Sequence, residues 1–217
     1  MTTLLEIEFI EARKNGCLLD DSSVEEVANW LINISSANNE QVFQFACCSN
    51  YANLALAQCL LQMKADIDIS AHDDVAFRGA CQIGRLEVAQ WLLQMKPNMD
   101  ISSFNDAFYW ACSEGYLELA QWLLKEKPDI DISDNDEIIF RLACYNGHLE
   151  VVKWLLQIKP DIYISSDNDW IFYIACKGGY LAVVKYLLTV KPNINISVDN
   201  EYVDNVKENL IELMNVL

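Results

Sequence analysis

The chain has 217 residues, 53% of them hydrophobic and 11% aromatic, with 15 basic against 32 acidic side chains for a net charge of −17. That apolar content is ample for a continuous core, and the acidic excess opposes binding to nucleic acid, whose phosphates need Lys and Arg to displace counterions. There is no run of 18 apolar residues to span a membrane, and Met1–Glu8 has neither a basic leader nor a long apolar stretch for secretion, so an intracellular setting is expected.

A period organises the chain. Trp91, Trp122, Trp154 and Tyr186 stand 31, 32 and 32 residues apart, and periods in this range mean stacked supersecondary units. Residues 1–36 form a degenerate first unit: Phe9 and Ala12 echo later columns, Asn15-Gly16 echoes a turn, and Val24–Leu31 echoes a helix. Terminal units of a stack are atypical because one face meets water, so an N-terminal cap is expected here. Repeats occupy 37–197, at about 40–70, 71–102, 103–133, 134–165 and 166–197. Residues 198–217 carry Tyr202, Val203, Val206, Leu210, Leu213 and Leu217 at helical spacing and are expected to be a C-terminal capping helix.

Within the unit Ala143–Ser165, Glu150, Lys153 and Gln157 make one narrow polar stripe, while Leu149, Val151, Val152, Trp154, Leu155 and Leu156 fill the rest. Such a helix is covered on most sides. A shorter helix over about 136–146 precedes it, and Gly147 sits where that helix must stop and reverse. Lys159-Pro160 breaks the second helix. The strict alternation of Asp161–Ser165 then predicts a half-buried extended finger.

Two helices, a tight Gly turn and a finger in 31 or 32 residues resemble the ankyrin repeat, and Gly147-His148-Leu149-Glu150-Val151-Val152-Lys153-Trp154-Leu155-Leu156 is very close to that family's second-helix motif. The resemblance covers roughly residues 40–197, and the wording Phe-x-x-Ala-Cys, Trp-Leu-Leu and Lys-Pro-Asp-Ile-Asp-Ile-Ser is most similar to ankyrin proteins of giant DNA viruses. It implies an all-α ankyrin-repeat solenoid between irregular caps. The family's Thr-Pro-Leu-His opening is absent, and a Phe column (Phe77, Phe108, Phe140, Phe172) is expected to replace its hydrogen bonds by packing.

Little chemistry competes with that reading. Five of the eight cysteines (Cys47, Cys81, Cys112, Cys144, Cys176) recur once per unit. Equivalent columns in stacked helices lie about 8–10 Å apart, whereas zinc needs sulfurs at about 2.3 Å, so buried thiols are expected and no metal. The acidic stretch Asp129–Glu137 lacks the glycine and the final bidentate Glu of a calcium loop. His72 and His148 lie in different units without a nucleophile motif. No catalytic residue, no cofactor and no enzymatic activity are expected.

In ankyrin-like proteins the fingers and first helices line a concave face, so the resemblance implies an acidic groove here. Finger acids include Asp66, Asp68, Asp73, Asp74, Asp100, Asp106 and Asp134. Positions that vary between units are the expected partner contacts: Phe104, Tyr109, Tyr145, Trp170 and Tyr173, flanked by Arg78, Arg141 and Asp134. Trp110 is expected in the core. The function implied is a non-enzymatic scaffold that binds a protein, a host protein with a basic surface, in the host cytoplasm, as a monomer. The alternative is an adaptor that recruits substrates to a ubiquitin ligase or other host machinery, with the C-terminal helix as its second docking element.

Overall fold

The computed structural model describes residues 4–14, 22–33, 37–49, 51, 53–132, 134–160 and 169–190, without the side chains of residues 134–137, 169, 170, 173 and 174. The expected C-terminal helix and the finger 161–165 lie outside the described residues. Among those residues the fold is all-α. Twelve helices follow one another as α1 (Leu4–Lys14), α2 (Val24–Asn33), α3 (Asn39–Cys48), α4 (Leu54–Met63), α5 (Ala71–Gln82), α6 (Leu86–Met95), α7 (Ile101–Ser113), α8 (Leu117–Glu126), α9 (Asp134–Tyr145), α10 (Leu149–Ile158), α11 (Asp169–Lys177) and α12 (Leu181–Val190). The chain divides into two compact units, Met1–Ala107 and Phe108–Leu217.

The four hairpins from α5 to α12 close in the same way. In the reference turn, Gly147 takes φ +79°, its N–H donates to the Cys144 carbonyl (3.2 Å), and the His148 N–H donates to the Ala143 carbonyl (2.9 Å). This pair of bonds is the Schellman motif, and glycine adopts its left-handed residue without a Cβ penalty. Turns after α5, α7 and α11 repeat both bonds. The recurring Ala-Cys-x-x-Gly wording is therefore the chemistry of a helix stop.

Within the first unit α2 packs on α4, α3 on α5, and α5 on α6; within the second, α9 meets α10 and α11, and α12 meets α10 and α11. Phe77, Phe108, Phe140 and Phe172 are at most 4% exposed, so the Phe column does lie in the core. In the first unit Phe43 reaches Trp91 (6.2 Å between ring centroids), and in the second Phe108 reaches Trp154 (6.1 Å). Trp110, expected in the core, is only half-buried and stands edge-on to Tyr109 at 5.1 Å.

The finger on which the alternation was read, 161–165, lies outside the described residues, but three fingers of the same wording are described. No strand forms among the described residues, and Ile67, Met99 and Ile130 are buried while Ile101 is 41% exposed. In these three fingers the first hydrophobe is buried, whereas the second is half-buried at Ile69 and Ile132 and exposed at Ile101. The carboxylate of Asp68 accepts from the Ser70 N–H, and that of Asp100 from the Ser102 N–H, both at 2.9 Å. Each Asp thus folds the chain into an Asx turn two residues on, ending the extended stretch and launching the next first helix.

Candidate functional site

The first unit carries a polar cleft of about 420 Å³, walled by the finger ahead of α5 and the finger ahead of α7. Asp73, Asp74, Asp100 and Asp106 line it opposite Arg78 and Lys96, with Ser70, Ser102 and Ser103 between. Its wall is built unusually. His72, Asp73 and Asp74 have φ of 56°, 57° and 58°, a left-handed run inside α5. Each such residue costs about 1 kcal/mol or more, although His and Asp are among the types that tolerate the region best.

Two sets of bonds hold that run. The buried carboxylate of Asp74 accepts from Lys96 Nζ at 2.8 Å and from Ser103 Oγ at 3.1 Å. The guanidinium of Arg78 donates to the carbonyls of Asp73 (3.0 Å) and His72 (3.2 Å) and to Asp106 Oδ2 (2.9 Å). Asp74 is 3% exposed, so it is not one of the solvated finger acids the sequence suggested. Arg78, read from sequence as a partner contact, is a clamp on the turn. Hydrogen bonds from Ser102, first its backbone N–H and then its side chain, hold the Asp100 carboxyl below the usual carboxylate range. Four carboxylates thus face two cations, and both cations are already engaged, so the cleft keeps a negative surplus at its rim.

The other sequence-predicted positions separate. Phe104 is fully buried and packs its ring on Phe77 at 5.2 Å; it belongs to the core and not to a binding face. The helical register of α7 turns Phe104 inward together with Ala107, Phe108 and Ala111, all equally buried. In the second unit Tyr145 is exposed, while Tyr109 and Arg141 are half-buried. The side chains of Trp170, Tyr173 and Asp134 lie outside the described residues.

Asn146 Nδ2 donates to the carbonyl of the buried Ser113 at 2.7 Å, joining successive repeats. Cys47, Cys81, Cys112, Cys144 and Cys176 are buried and free, and Cys48 and Cys59 are free and half-buried. Burial raises their thiol pKa values, to about 12 for Cys48 and about 11 for Cys176. Among the described residues no group of three or more His, Cys, Asp and Glu side chains could hold a metal, and no helix is long and apolar enough to cross a membrane.

The Lys96–Asp74–Ser103 clasp was missed by sequence reasoning. One signal was present: His72-Asp73-Asp74 is a run of residue types enriched at positive φ. No curated protein matches the chain. A family model described as ankyrin repeats, in three copies, matches residues 108–200, and ankyrin repeats mediate protein–protein binding, so this part of the chain is an interaction domain.

Proposed function

We propose that the chain is a non-enzymatic scaffold that binds a partner protein through a basic segment, received on its acidic finger side. The observation that carries this reading is the cleft of the first unit, where Asp73, Asp100 and Asp106 are exposed and the nearest cations are already paired. An arginine or lysine entering there meets carboxylates on a backbone held in place, and the net charge of −17 draws such a segment in. Tyr109 and Tyr145, with Trp170 and Tyr173, are the proposed aromatic contacts of the second unit, because aromatics flanked by charge are frequent anchors of interfaces. The seven cysteines among the described residues are free thiols, which suits a reducing compartment and is in keeping with a cytoplasmic setting.

The test is selection of random 12-residue peptides displayed on phage against the full chain. Enrichment of Arg- and Lys-bearing peptides is expected, with binding weakened between low and moderate salt as screening sets in. Asp73→Asn/Asp106→Asn should lower the affinity of those peptides at least several-fold. Selected peptides without a basic bias, or unaffected by that pair of substitutions, would refute the acidic finger site.

A further inference from the structure

Among the described residues His72–Asp74 is the stretch where side-chain-bearing residues hold positive φ in succession. Conformations of this kind persist only where their surroundings over-determine them. The surroundings here are the two attachments of the cleft: Lys96 and Ser103 on the Asp74 carboxylate, and Arg78 on the carbonyls of His72 and Asp73. From Val75 onward α5 is an ordinary right-handed helix. The competing backbone for residues 72–74 is therefore one more right-handed turn of the same helix, which L-residues prefer.

We propose that His72–Asp74 is a two-state element and that the Lys96–Asp74–Ser103 clasp selects its left-handed state. Clasped, the turn fixes one wall of the cleft and sets the exposed Asp73 beside Arg78 and Asp106. Released, residues 72–74 join α5 as right-handed helix, Asp74 leaves Lys96 and Ser103, and that wall is lost. The element is a property of the first unit alone and does not depend on what the cleft binds.

Glycine reports handedness. In a left-handed turn it relieves the Cβ strain, whereas in a right-handed helix it is worse than alanine. The experiment compares thermal unfolding of the full chain carrying His72→Gly against His72→Ala, and Asp73→Gly against Asp73→Ala. The glycine variant should melt higher than the alanine variant by about 2–4 °C at each position. Repeated with Lys96→Met, which keeps the side chain's stem, and with Ser103→Ala, the order should shrink or reverse. Alanine melting above glycine in the otherwise unchanged chain would overturn the left-handed turn. An undiminished glycine advantage in both clasp-less backgrounds would overturn the switch. So would failure of both backgrounds to fold, since the clasp would then be a requirement of the fold and not a selector of the turn.

Discussion

The imidazole of His148 lies against Gly115, in the space that a Cβ on that glycine would need. One repeat further, the ring of Tyr180 covers Gly147 in the same way. The residues after Gly147 and Gly179 are thus each seated on the turn glycine of the repeat before, which gives His148 a packing role. Both glycines also have φ near +80°, so two separate constraints fall on one atom.

Alanine scanning of the turns separates those constraints. Gly179→Ala meets only the left-handed penalty, because nothing among the described residues lies within 4 Å of its Cβ position, and it should cost about 1–2 kcal/mol in urea unfolding. Gly115→Ala and Gly147→Ala must also displace a ring and should cost clearly more. Adding Tyr180→Ala to Gly147→Ala should bring the glycine's cost down to the Gly179 value. Equal costs at all three glycines in the single variants would show that the rings do not seat there.

Phe104 and Tyr145 make a second contrast. Phe104→Ala removes a fully buried ring from beside Phe77 and should destabilise by about 3–5 kcal/mol. Tyr145→Ala truncates a side chain 45% exposed and should change stability by about 0.5 kcal/mol or less. Denaturant midpoints at matched slopes check both. A neutral Phe104→Ala would return that residue to the surface, where its variability between repeats had placed it.

That contrast shows what was legible in the sequence. The period, the helix pair, the turn glycines, the Phe column and the buried cysteines all follow from patterns repeated several times in the chain, and repetition averages out local noise. Phe104 was misplaced because variation between repeats was read as exposure, whereas the register of α7 decides which face a residue joins. The end of each described finger was not legible for a different reason: Asp-x-Ser wording continues the alternation, but the carboxylate of Asp68 or Asp100 reaches the second N–H along and turns the chain. The Asp74 clasp joins residues 22 and 29 positions apart, a pairing no local pattern encodes.

The Asx turn at Asp100 has a pH signature. Hydrogen bonds from Ser102 favour the charged carboxylate, so its folded pKa lies below its unfolded one. A depressed carboxylate contributes stability above the unfolded pKa and loses that contribution as pH falls through the folded value. The melting temperature of the parent chain should therefore exceed that of Asp100→Asn by a constant margin at pH 6 to 7. The margin should narrow below the ordinary Asp range of about pH 4. A margin that stays constant down to pH 2 would mean that Asp100 does not make this bond as a carboxylate.

Thiol accessibility tests the core directly. Burial raises the pKa of the column cysteines, so at pH 8 their thiolate fraction is small, and the packed repeats keep reagents away as well. Cys59 is less enclosed, sits in the middle of α4, and also has a raised pKa, from burial first and from Glu25 second. Iodoacetamide labelling of the native chain, read site by site in a mass spectrometer, should modify Cys59 well before Cys47, Cys81, Cys112 and Cys144. In urea beyond the unfolding transition the four column thiols should react as fast as Cys59. If the column reacted at the Cys59 rate in the folded chain, repeats would be opening individually on the labelling timescale, and the stacked core would be far less cooperative than its packing requires.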